Sequence, residues 1–117
     1  MSEVLLKNGR ETPWADHPQF ADVRLAPLMG NFQDDAPLVC ALVRIAEGGS
    51  APEHIHATQD DIVFVLRGQL TMWIDGRDEV ELQAGDFLRI PAGRSHRPHH
   101  AGGDFLAFNL WARPSNP

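Results

Sequence analysis

The sequence predicts an all-β sandwich or barrel, and three observations carry that expectation. From Gly48 onward, turn-forming clusters break the chain at short intervals: Gly48-Gly49-Ser50-Ala51-Pro52, Arg67-Gly68, Asp75-Gly76, Ala84-Gly85-Asp86, Pro91-Ala92-Gly93 and Ala101-Gly102-Gly103. The segments between them are rich in Val, Ile, Leu, Phe and Trp, which suit a pleated, half-buried surface. None of those segments leaves room for an ordinary helix.

Element by element, residues 1–33 form an N-terminal arm and residues 34–117 the barrel. The arm carries Trp14, Phe20, Val23, Leu25, Leu28, Met29 and Phe32, too many apolar groups for a free tail. Pro13, Pro18 and Pro27 forbid a long helix there. It is expected to run extended, with one or two short strands, packed on the barrel or on a second subunit. Strands are then expected at residues 38–46, 61–67, 69–74, 80–82, 87–90 and 104–112. Asp75-Gly76 suits a hairpin turn of type I′, which needs positive φ at both central positions.

Composition narrows the function classes. A chain of 117 residues is one domain, and its 43% hydrophobic and 22% charged content is that of an ordinary globular protein. A net charge of −6 argues against a nucleic-acid surface. Cys40 is the only cysteine, so no intramolecular disulfide can form; it reads as a small buried apolar group in a reducing compartment. No apolar run approaches the ~20 residues of a spanning helix, and residues 1–10 lack a cationic start with a long apolar stretch. The expectation is a cytoplasmic protein with no membrane or nucleic-acid partner. No Ser/Cys/His arrangement points to a nucleophile, and no lysine follows the glycines at phosphate-loop spacing.

The chemistry concentrates in histidines. His54-Ile55-His56 reads as strand, and alternation would put both imidazoles on one side of the pleat. His96 could complete a metal site. Gly48-(x5)-His54-Ile55-His56-(x4)-Asp61-(x6)-Gly68 resembles the first motif of the cupin superfamily, where a glutamate usually stands at the position of Asp61. Gly85, Pro91, Gly93 and His96 are similar to its second motif, with His100 where asparagine is usual. The resemblance covers roughly residues 38–110. It implies a double-stranded β-helix, a jelly-roll barrel of roughly six to eight strands, and a homodimer. It also implies one divalent transition metal, Fe, Mn, Ni or Zn, held by His54, His56, Asp61 and His96.

Counting back from Gly68 selects Asp61, whereas a shorter count from His56 would select Asp60. Alternation sets Asp61, Val63 and Val65 on one face and Asp60, Ile62, Phe64 and Leu66 on the other. An aspartate ends ~1.5 Å short of a glutamate, against metal–oxygen bonds of about 2.0–2.2 Å. Asp61 therefore ligates with the strand drawn in, acts through water, or leaves a three-histidine site.

Six further residues are candidates for the substrate pocket: Arg44, Gln59, Arg89, His100, Asn109 and Trp111. Arg44 and Arg89 stand in otherwise apolar strands, where a guanidinium could hold a substrate carboxylate bidentately. His99 and His100 are adjacent, so only one faces inward; His100 shares the parity of His96. His17, before Pro18, reads as a surface or turn residue. The resemblance to cupins implies two function classes. One is a small metal-dependent enzyme, an isomerase, lyase or dioxygenase, acting on a sugar acid or a dicarbonyl. The other is a non-catalytic module that binds a small ligand.

Overall fold

Val39, Ala41, Val43 and Ile45 are buried along β3 (Leu38–Ile45), while Leu42 and Arg44 between them are only half-buried. That period-2 burial makes β3 one wall of a core. The computed structural model describes residues 4–30 and 37–114, and every regular element among them is a strand. Phe32 of the arm lies outside the described residues. The other strands are β1 (Ala15–Asp16), β2 (Val23–Met29), β4 (Asp60–Ile74), β5 (Arg77–Gln83), β6 (Phe87–Ile90) and β7 (His96–Ala112). All pair antiparallel, in the order β1-β2-β3-β7-β4-β5, with β6 also on β4. The fold is an all-β jelly-roll barrel.

The arm joins the sheet itself. β2 runs alongside β3 from Val23↔Ile45 to Met29↔Cys40 and buries Val23, Leu25 and Ala26. Cys40 is buried and free, and burial pushes its thiol pKa up.

Two expectations about strand ends need correction. The strands expected at 61–67 and 69–74 are one 15-residue strand, and the last strand begins at His96 rather than 104. In both cases glycine and positive φ mark a bulge, where an extra residue bends a strand without ending it. β4 shifts register at residues 65–71 around Gly68, whose φ is 80°. β7 bends at His100 (φ 54°), Gly103 (φ 64°) and Asp104 (φ 56°). The bends let each long strand serve two parts of the barrel. The first part of β4 pairs with β6, from Asp61↔Ile90 to Phe64↔Phe87, and the second with β5, from Gln69↔Gln83 to Ile74↔Arg77. The hairpin forms at Asp75-Gly76, but only Gly76 takes positive φ, and the register shifts between Met72 and Ile74. The turn is thus not of type I′.

Inside, Val63, Val65, Leu70, Met72, Phe105, Ala107 and Trp111 extend the core begun by β3. The core does not fill the barrel. A cavity of about 500 Å³ remains, lined by β2, β3, β4 and β7 and by the His17–Phe20 turn of the arm.

Candidate metal centre

His54 and His96 are tied together backbone to backbone. Each amide donates to the other's carbonyl at 2.9 Å, an isolated antiparallel bridge that joins His54 to the first residue of β7. His54-Ile55-His56 is therefore not a strand. Its two imidazoles converge because this bridge fixes one end, while the Gly93 amide donates to the His56 carbonyl at 2.8 Å at the other. Gly93 takes φ 84° in the Pro91-Ala92-Gly93 turn, which suits a residue without Cβ. Ile55 between them is 54% exposed.

Asp61, at the start of β4, points into the same space. One ligand atom from each of His54, His56, Asp61 and His96 falls within 4.8 Å of the others. Asp61 Oδ2 lies 3.1 Å from His96 Nε2 and 3.4 Å from His56 Nε2. Donors sharing one ion at 2.0–2.2 Å lie roughly 3.0–3.4 Å apart, so these separations fit a common cation. Asp61 is placed on this side of the barrel by its pairing with Trp111 of β7.

Hydrogen bonding sets the imidazoles for ligation. Carbonyls only accept, so His54 Nδ1–H donates to Pro52 at 2.8 Å and His96 Nδ1–H donates to Arg94 at 3.0 Å. Their Nε2 atoms then carry the lone pairs that a metal uses. Both nitrogens of the 2%-exposed His96 face oxygen acceptors, Arg94 and Asp61. A neutral ring cannot donate to both, so a cation, proton or metal, must lie between His96 and Asp61. Asn109 Nδ2 donates to Asp61 Oδ1 at 3.1 Å and fixes the carboxylate from its other side.

The charges agree with that geometry. Burial pushes the Asp61 carboxyl up, but hydrogen bonds and charge from His56 and His96 outweigh it and hold Asp61 below the ordinary carboxylate range. Burial pushes His96 down, yet Asp61 and the Arg94 carbonyl raise it overall. His54 is lowered by burial, against the opposing Pro52 bond. The arrangement can hold a divalent transition metal. It can also leave positions open for an oxygen ligand, since four protein donors do not fill six sites.

The family model for the cupin domain matches residues 41–112, more than half of the chain. This chain is a cupin. Among curated relatives, quercetin 2,3-dioxygenase of Bacillus subtilis (strain 168) is 40% identical over 50 residues, 43% of this chain and 14% of that protein. The matched stretches span less than half the length of the curated relatives. Two solved structures share the fold along nearly the whole chain. KdgF from Halomonas sp. aligns with a TM-score of 0.74 and 20% identity, covering 97% of this chain and 96% of that one. A predicted oxalate decarboxylase from Thermotoga maritima aligns with a TM-score of 0.78 and 19% identity, covering 96% and 100%.

Of the six pocket candidates, this cupin brings Gln59, Asn109 and Trp111 to the cavity wall and leaves three elsewhere. Arg44 alternates with cavity-lining Val43 and Ile45, so it faces outward and lies over the Trp14 ring, 4.6 Å from its centroid. Arg89 pairs outward with Asp60. His100 is exposed, because its φ of 54° breaks the alternation that linked it to His96. Conversely, His17 both caps a turn and lines the cavity. Its Nδ1 accepts from the Gln19 and Phe20 amides at 3.0 and 3.2 Å, and its ring stacks on Phe20, which leans on His54. No spacing relates His17 to the histidine motifs, so only the docking of the arm exposes this role.

Asp60 is the cupin's clamp behind the site. Its carboxylate accepts from the Ala92 amide at 2.8 Å and from Arg89 Nε at 2.9 Å, anchoring the turn that holds His56. Burial opposes ionisation, but these two partners keep its pKa below the ordinary value. A depressed carboxyl contributes stability above its unfolded pKa and loses it as pH falls through the folded one. Asp60→Asn is expected to cost about 2 kcal/mol at neutral pH, discounted for the half-exposed Arg89. That cost should shrink below about pH 4, as measured by urea unfolding of both proteins at each pH.

Proposed function

We propose that this cupin is a small metal-dependent enzyme, of isomerase or dioxygenase type, acting on a small oxygenated organic substrate such as a dicarbonyl or sugar acid. The observation that carries the reading is the convergence of His54, His56, Asp61 and His96 within 4.8 Å in the wall of a cavity. In this reading those four side chains hold one Fe, Mn, Ni or Zn ion. When bound, such an ion polarises a carbonyl or enolate oxygen, or activates dioxygen.

The chain's own residues do the rest. The Pro52 and Arg94 carbonyls hold the rings of His54 and His96 in one tautomer, and Asn109 keeps the Asp61 carboxylate turned toward them. The apolar cavity wall excludes water from a bound substrate. Asn109→Leu removes a partner of the carboxylate without touching a donor atom. It is expected to weaken metal retention by about tenfold or more in a chelator competition.

Similarity to a protein named quercetin 2,3-dioxygenase supports the dioxygenase form of the reading. A homodimer is supported by Phe64, Leu66 and Phe87, large apolar side chains left exposed. A cytoplasmic setting is supported by the single free cysteine. Among the described residues no helix is long and apolar enough to cross a membrane.

The test is turnover. Protein loaded separately with each of the four metals is incubated with β-diketones and unsaturated uronates under air, and products are followed by mass spectrometry. The parent is expected to turn over one class with one metal, and His56→Ala to lose that rate by at least about 100-fold. No turnover with any metal would leave a ligand-binding module instead, and a parental rate in the variant would remove the four-donor centre from the reaction.

A further inference from the structure

We propose that the cavity takes a compact organic molecule with an apolar, unsaturated or aromatic body, whose polar atoms are confined to the end that meets the histidine cluster. This rests on the metal-dependent reading above and chooses between its two substrate classes, against the sugar acid. The deep wall is Val39, Val43, Val63, Leu70, Met72 and Trp111, and Phe20 of the arm adds a further ring. Among the described lining residues there is no lysine, arginine, serine or threonine, and the sequence contains no tyrosine. The two arginines placed to receive a carboxylate face outward, engaged by Trp14 and Asp60.

The polar groups that do line the cavity are mostly committed. Asn109 donates to Asp61, His17 Nδ1 accepts two backbone amides, and Gln59 has an interaction of its own. A sugar acid brings several hydroxyls and a carboxylate, each needing a partner when desolvated. Besides the histidine cluster they would meet few groups, chiefly the His17 Nε2–H and the Gln19 side-chain amide at the exposed rim. A β-dicarbonyl with an aromatic substituent needs partners at one end alone. Three neutral imidazoles and one carboxylate would leave a divalent ion one positive charge, which a single enolate neutralises. At about 500 Å³ the cavity is of the size that encloses such a molecule.

The test uses displacement of the neutral fluorophore N-phenyl-1-naphthylamine, with the protein both metal-free and nickel-loaded and nickel uptake measured on the same samples. The fluorophore is expected to brighten on binding. Benzoylacetone is expected to displace it at concentrations about tenfold or more below those acetylacetone needs, because phenyl buries more apolar area than methyl. D-Galacturonate is expected not to displace it at about 100 times the effective benzoylacetone concentration. Phe20→Ser removes a ring that also packs against the core, so it is expected to lower the thermal melt and, at a temperature where the variant is folded, to weaken benzoylacetone about fivefold. Galacturonate competing as well as benzoylacetone, a fluorophore that does not bind, or an unchanged benzoylacetone affinity in Phe20→Ser would overturn the proposal. A protein that takes up no nickel yet binds benzoylacetone would sink the metal reading and leave this one standing.

Discussion

His96→Ala is expected to lose its divalent ion under conditions where the parent keeps one equivalent, a fall in affinity of more than about 100-fold. The substitution deletes one of the four converging donors. It also leaves the Asp61 carboxylate, 5% exposed, with one imidazole facing it instead of two. An ion pair broken inside a protein strands its surviving charge, so Asp61 should drift back toward the ordinary carboxylate range. The backbone bridge between positions 54 and 96 survives, because alanine keeps the amide and carbonyl that form it. The metal-free variant should melt below the metal-free parent because of the stranded carboxylate, and adding metal should widen that gap by stabilising the parent alone. His100→Ala is the matched control: that ring is exposed and outside the cavity, and occupancy should not change. Elemental analysis after reconstitution and desalting reads both variants. Full occupancy in His96→Ala would contradict the four-donor site.

Gly68→Ala should be the most damaging small change in the chain, costing about 3 kcal/mol or more. Gly68 holds φ 80° at the bulge of β4, and a methyl there would meet the Gly102 carbonyl, the Gly103 carbonyl at 2.8 Å and the Phe105 Cα at 2.9 Å. All are backbone atoms, which cannot swing aside as a side chain would. Gly76 has nearly the same φ, 76°, with nothing within 4 Å of its Cβ position. Gly76→Ala should thus show the conformational cost alone, about 1–2 kcal/mol. The difference between the two isolates the steric part. Urea unfolding midpoints at equal slopes measure it, and equal losses at both glycines would show that the close approach of β4 and β7 has been misjudged.

What the sequence disclosed follows from which information is local. The spacing of His54, His56, Asp61 and His96 within their glycine and proline frame anticipated their convergence, because turns written in the sequence set where each residue lands. Gly68 and Gly103 were visible as punctuation, yet punctuation does not tell a strand end from a bulge. So β4 and β7 looked shorter than they are. Arg44 and Arg89 were misplaced because their strands carry apolar residues on both faces, and alternation cannot say which face lies inside. His100 was misplaced because one residue in the left-handed region shifts the parity of a strand. His17 and Phe20 were missed as cavity wall because the arm reaches the site only through the tertiary pairing of β2 with β3.

Native mass spectrometry of the reconstituted chain shows whether His54, His56, Asp61 and His96 hold an ion. One divalent transition ion per chain is expected, absent from a variant in which His54, His56 and His96 are all alanine. A chain that emerges metal-free after reconstitution, or a triple variant that keeps its ion, would contradict the four-donor site.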